Sequence, residues 1–173
     1  MKNLIIGFST HKKPTILGSI IKLVEKTEFS HVYVKLYSES LDRQLIYQAS
    51  GLLVNFVGEE VFYEKNKDIM TFNIPITKEQ QTKLLQKAVD NCGKPYGIKD
   101  LFGIGLVRLG RLFGIRVKNP MADGSATYIC SELASSILVE LGFDFSNLDD
   151  ITPKDLYDKL MGSQWQDTQQ ISQ

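Results

Sequence analysis

At 173 residues, with 43% hydrophobic and 23% charged positions, the chain is long enough for one domain with a real core and too mixed in composition for a fibre or a disordered protein. Twenty basic residues balance twenty acidic ones, so no global field draws it to nucleic acid and any basic surface has to be local. Two cysteines, Cys92 and Cys130, make no disulfide framework and have no zinc-site spacing, so both are expected as free thiols, with no metal and no cofactor implied.

The N-terminus, Met1-Lys2-Asn3-Leu4-Ile5-Ile6-Gly7-Phe8, is basic and then apolar, but the apolar run is too short for a signal-peptide core and lacks a cleavage site. It reads as a strand over residues 3–9, and the chain is expected to be made as a soluble cytoplasmic protein. A loop holding His11 follows. Pro14 then opens a helix whose stripe of Ile16, Leu17, Ile20, Ile21 and Val24 is broad enough to predict that it packs on something. Residues 29–37 alternate, with Val32, Val34 and Leu36 on one face and His31, Tyr33, Lys35 and Tyr37 on the other. Further strands are expected at 44–50, 52–57 and 69–74, the last closed by Pro75, and the series reads as a short antiparallel meander. Alternation in the second of these strands puts Gln48 with Ile46 and Ser50.

Thr77-Lys78-Glu79-Gln80 is a capping box, and the helix it starts carries Leu84, Leu85, Ala88 and Val89 before Gly93 ends it. Cys92, at the end of that stripe, reads as a packing residue. Lys94-Pro95-Tyr96-Gly97 is a turn leading to residues 101–116, an apolar run broken by Arg108, Arg111 and Arg116 that is too charged and glycine-rich to span a bilayer. These arginines fit a solvated helix face first, and an anionic substrate or membrane surface second. After a loop at 119–125, a helix is expected from Leu133, Ala134, Ile137, Leu138 and Leu141, with Gly142 as its left-handed cap. Cys130 then stands at the mouth of that helix, where unpaired N–H groups and the helix dipole lower a thiol pKa. A small buried hydrophobe is the other reading of Cys130. Thr152 and Pro153 start a last helix, and the polar, glutamine-rich tail from 162 is expected to be disordered, leaving 1–161 as a single domain.

Nucleophilic cysteine chemistry needs a thiolate, a histidine to take and return its proton, and a group to hold the imidazole. Cys130, His31 and Gln48 are the candidates, Gln48 accepting from His31 Nδ1. His11, in a loop among lysines, suits a solvated residue. A lone strand histidine is also a common structural residue, so spacing does not by itself establish a dyad.

The order of the pieces adds to this. Phe29-Ser30-His31-Val32, Ile46-Tyr47-Gln48-Ala49 with Gly51, Gly93-Lys94-Pro95-Tyr96, Tyr128-Ile129-Cys130-Ser131-Glu132-Leu133 and Ile151-Thr152-Pro153 resemble, in that order, the circularly permuted NlpC-type papain-like hydrolases of the YiiX-like branch, over residues 8–160. Their relatives include lecithin retinol acyltransferase-like enzymes and cell-wall peptidases. The resemblance implies an α+β, permuted papain-like fold in which a small antiparallel sheet carrying His31 packs against the helix carrying Cys130. It implies Cys130 as nucleophile, His31 as general base and Gln48 in the orienting position, where relatives often have glutamate. The Cys130 N–H would be one oxyanion donor. Tyr96 and Tyr128 would line the cleft, or serve as packing residues. The expected activity is that of a cysteine amidase or endopeptidase on a small peptide such as a cell-wall stem peptide. A thioesterase or acyltransferase on lipid-like acyl groups is the alternative favoured by residues 101–116, and a binding module with weakened catalysis is the one favoured by Gln48. A cell-wall substrate would require release by lysis or carriage by a phage.

Overall fold

A computed structural model describes residues 2–97, 128–145 and 151–163, and the backbone of 168–169. The expected run 101–116, the loop 119–125 and most of the tail lie outside the described residues.

Six strands form one antiparallel sheet: β1 (Lys2–His11), β2 (His31–Ser38), β3 (Arg43–Ser50), β4 (Leu53–Gly58), β5 (Asn66–Ile76) and the two-residue β6 (Thr168–Gln169), in the order β4-β3-β2-β1-β5-β6. The described helices are α1 (Ile16–Glu25), α2 (Glu59–Lys65), α3 (Lys78–Asn91), α4 (Cys130–Val139) and α5 (Pro153–Met161). The class is α+β, as expected.

Strand alternation sets the two faces. Val32, Val34 and Leu36 of β2 join Leu4, Ile6 and Phe8 of β1, Tyr47 and Ala49 of β3, and Leu133, Ala134, Ile137 and Leu138 of α4 in the main core. On the opposite face Tyr33, Ile46 and Phe62 form a smaller cluster under α2. Both faces of the central strands are thus covered, which explains why β1 is buried almost throughout.

The helix ends follow their local chemistry. Thr77 accepts from the Gln80 N–H at 3.1 Å while the Gln80 side chain accepts from the Thr77 N–H at 2.8 Å, and Thr152 and Asp155 repeat the exchange at 3.2 and 3.1 Å. At α4 the exchange is half made: Glu132 accepts from the Ile129 N–H at 3.1 Å, but Ile129 has no side-chain acceptor to return. Gly142 takes φ +86 beyond α4, the left-handed conformation expected for it.

Several expectations need correction. The fourth predicted strand is longer than 69–74 and pairs with β1, so the meander covers β2, β3 and β4 alone. Residues 59–65, read as no element, form α2, whose two turns are too short to give a periodic signal. His11 ends β1 opposite Asn66 instead of lying in a loop. Two residues of the tail, Thr168 and Gln169, pair with β5. Most of the expected α1 stripe does not pack: Ile16, Leu17, Ile20 and Val24 are exposed, as is Leu23, while Ile21 is half-buried and Gly18 is the buried residue.

One close approach fixes the sheet's second face. Gly7 stands opposite Tyr33, and a Cβ built on Gly7 would meet the Tyr33 ring at 2.1–2.4 Å. Across this gap the Tyr33 hydroxyl donates to Asp68 at 2.8 Å, and the Tyr63 hydroxyl donates to the same oxygen at 2.8 Å. Gly7→Ala must displace the buried Tyr33 ring, so it should cost about 1–3 kcal/mol in urea unfolding. An unchanged midpoint would show that Tyr33 can move aside freely.

Candidate active site

Cys130 is the first residue of α4 and only 4% exposed. Its helix is held down at that end by small polar residues whose hydroxyls are satisfied internally. Ser131 Oγ donates to the Ile151 carbonyl at 2.6 Å, and Ser135 Oγ donates to the Ser131 carbonyl at 2.7 Å. The Cys-Ser-Glu-Leu and Ile-Thr-Pro segments, far apart in sequence, are thereby joined by one buried hydrogen bond. Residues 93–97 make the second support: the Tyr96 N–H donates to the Leu52 carbonyl at 2.8 Å, while Gly97 and Tyr128 bond through Gly97 N–H to Tyr128 O at 3.0 Å. The segment thus ties β4 to the residues that lead into Cys130.

The thiol meets the backbone N–H groups of Val32 and Ser131, and Tyr96 hydrogen-bonds to it. Burial pushes the Cys130 thiol up to about 11, against the pull of these N–H groups and with some push from the Glu132 carboxylate. This corrects the expectation of a lowered pKa: the N-terminal N–H groups are there, but removal from water outweighs them. Burial likewise pushes the Tyr96 hydroxyl well above its ordinary range, with the charges of Cys130 and Glu132 acting in the same direction.

His31 opens β2, and its ring lies on the α2 face, 6.3 Å between centroids from Phe62. Lys35 stands directly opposite Ile46, so by the two-residue period His31 and Gln48 share that face. His31 Nε2 lies 2.8 Å from Gln48 Oε1. The expected partner atom was Nδ1. An amide oxygen only accepts, so Nε2 carries the proton and Nδ1 is left as an unprotonated acceptor. Gln48 is itself oriented by Asn55, its Cα partner on β4, with Nε2 donating to Asn55 Oδ1 at 3.5 Å. Asn55 is a residue that sequence reasoning missed; a polar side chain in the middle of an otherwise apolar strand was its signal.

Burial lowers His31 to about 4, although the Gln48 hydrogen bond raises it and the charge of His11 adds to the fall. The imidazole is therefore neutral at neutral pH. Among the described residues no thiol–imidazole hydrogen bond is made: Cys130 reaches the backbone of Val32, one residue on from His31. Tyr128, the other expected cleft residue, packs against the main core with Lys94 Nζ 5.2 Å from its ring centroid. Cys92 is exposed, contrary to its reading as a packing residue.

No family model matches the chain, and no curated protein matches it in sequence. Among solved structures, it is similar to the metalloprotein yiiX from Escherichia coli O157:H7, of the DUF1105 group, with a TM-score of 0.61 and 16% sequence identity over 90% of this chain and 91% of that one. The two share a fold.

The depressed His31 value has a stability consequence with a definite sign. Its folded pKa of about 4 lies below the ordinary 6.5, so the folded state binds fewer protons. The contribution is fully present above pH 6.5 and is lost as pH falls through that window towards 4. His31→Gln removes the titration, so the difference in unfolding free energy between wild type and variant should change across this window in the direction that penalises the wild type at acid pH. A difference independent of pH would overturn the neutral, half-buried imidazole.

Proposed function

We propose that this protein is a cysteine hydrolase of the permuted papain-like type, acting through an acyl-thioester on Cys130, with His31 as general base and Gln48 as its orienting residue. The observation that carries the reading is the His31–Gln48 hydrogen bond beside the Val32 N–H that faces the Cys130 sulfur. It leaves a neutral imidazole with one bare nitrogen on the strand whose next backbone N–H faces a thiol at a helix start. That is the starting state for coupled proton transfer and attack.

In the proposed reaction Sγ attacks the substrate carbonyl carbon while the thiol proton passes to His31 Nδ1. The oxyanion is held by backbone N–H groups at the start of α4, with the neutral Tyr96 hydroxyl as a second donor. Collapse expels the amine or alcohol, which takes the proton from His31. Water then attacks the thioester, giving its proton to His31, and Cys130 leaves with a proton restored. Catalytic hydrogen bonds are often long before substrate binds and tighten in the complex, and the proposed reaction requires the imidazole and thiol to meet there.

For the bond cleaved, the family resemblance favours the amide of a small peptide, such as a cell-wall stem peptide. A lipid-like acyl ester or thioester is the second reading, favoured by the uncovered apolar face of α1. The similar yiiX protein is described as a metalloprotein, but among the described residues of this chain no three His, Cys, Asp or Glu side chains gather as a metal would require.

Activated p-nitrophenyl acyl esters test this reading without knowledge of the natural substrate. Intact mass and peptide mapping should find the acyl group on Cys130, and Cys130→Ala should abolish it while Cys92→Ala leaves it unchanged. His31→Ala should slow acylation on the order of 100- to 10,000-fold, and Gln48→Ala about 10- to 100-fold. Gln48→Glu places a carboxylate against the imidazole, raising His31 from about 4, so the acid limb of the pH–rate profile should move to higher pH. Acylation undiminished in Cys130→Ala would end the proposal.

A further inference from the structure

Among the described residues the apolar face of α1 has no counterpart. Ile16, Ile20, Leu23 and Val24 recur at helical spacing with Leu17 beside them, and their exposures run from 41% for Leu17 to 85% for Ile16. Large aliphatic side chains gathered in this way mark a contact surface. Thr15 caps the helix by accepting from the Gly18 N–H at 3.1 Å, so it forms in spite of its uncovered side.

Charge selects the occupant. The chain is neutral overall, yet residues 12–26 hold Lys12, Lys13, Lys22 and Lys26 against one acid, Glu25, whose carboxylate accepts from the Thr152 hydroxyl at 2.7 Å. Lys12 and Lys26, which flank the helix in sequence, also line a hollow of about 1130 Å³ together with Lys35, Lys67 and Lys154, the last paired with Asp158, and with Glu28 and Asp68 as its acids. A second copy docked about a twofold axis would bring these lysines towards each other, whereas a surface of anionic headgroups neutralises them. No described helix is long and apolar enough to cross a membrane.

We propose that α1 is an interfacial helix that lays its Ile16, Leu17, Ile20, Leu23 and Val24 face into an anionic lipid surface, with the flanking lysines at the headgroups. The docking is independent of the thiol chemistry. It places that chemistry at a lipid surface, because the helix lies against the start of β2: a Cβ on Gly18 would come within 3.1 Å of Ser30 Oγ, and Ser30 precedes His31.

The test uses the full chain carrying Cys130→Ala, so that binding is read without turnover. Flotation with vesicles of phosphatidylglycerol and phosphatidylcholine in equal parts should recover the protein at low salt, less at high salt, and little with phosphatidylcholine alone. Ile20→Glu with Leu23→Glu should weaken partition at least about tenfold, since two exposed aliphatic side chains would no longer be buried in the lipid. Val61→Glu with Val89→Glu, exposed positions on α2 and α3, should leave it unchanged. Retained binding in the α1 variant, or no binding of the parent to anionic vesicles, overturns the proposal. So does a parent dimer that the α1 substitutions dissociate, or a marked fall in melting temperature on making them, since either would show the face covered by protein.

Discussion

The contact between the Cys130 sulfur and the Val32 N–H joins the helix carrying the thiol to the strand carrying the imidazole. It requires α4 to lie close on β2, and the residues at that end of the helix are small: Ser131, Ala134 and Ser135 are all fully buried. Buried hydroxyls would be costly if unpaired, but both serines donate to carbonyls. Strand geometry does the rest. Val32 points its side chain to the main core under α4, so His31, its neighbour, must point to the other face, where Gln48 waits on β3. The thiol thus approaches from one side of the strand and the imidazole is held from the other.

Burial governs the electrostatics of both groups, and in opposite directions. It raises Cys130 to about 11 and lowers His31 to about 4, so the resting pair is a neutral thiol and a neutral imidazole. A glutamate at position 48 would place a charge beside this neutral pair and would have to be balanced by an imidazolium. Glutamine orients the ring through the same hydrogen bond without adding a charge. The departure from the resembling family's acidic residue is therefore consistent with a site kept neutral until substrate arrives.

What could be read beforehand was what local chemistry encodes. Period-two alternation located β2, β3 and β4, the capping box at Thr77 and the N-cap Thr152 with Pro153 marked two helix starts, and the shared face of His31 and Gln48 came only with the strand register. What escaped depended on distant parts of the chain. The pairing of β5 with β1, and not with β4, is a long-range choice that no strand's own pattern declares. Cys130 was legible as the start of a helix, but its pKa was misjudged because a sequence displays the dipole and hides the burial. The choice of Nε2 over Nδ1 is a matter of ring rotation within the folded site.

The stripe of α1 shows the same limit from the other side. Amphipathic spacing reveals that a helix has an apolar face, yet it cannot say whether protein or something else covers it. In the fold, α1 is anchored by its minor face: Gly18 lies against Ser30, and Glu25 holds the Thr152 hydroxyl. Thr152 follows Ile151, whose carbonyl receives the Ser131 hydroxyl next to Cys130. One anchor of α1 therefore ends at Ser30, one residue from His31, and the other reaches Cys130 only by way of Thr152, Ile151 and Ser131. The exposed face of α1 is thus the outer side of a helix whose inner side is tied to the segments that carry both groups.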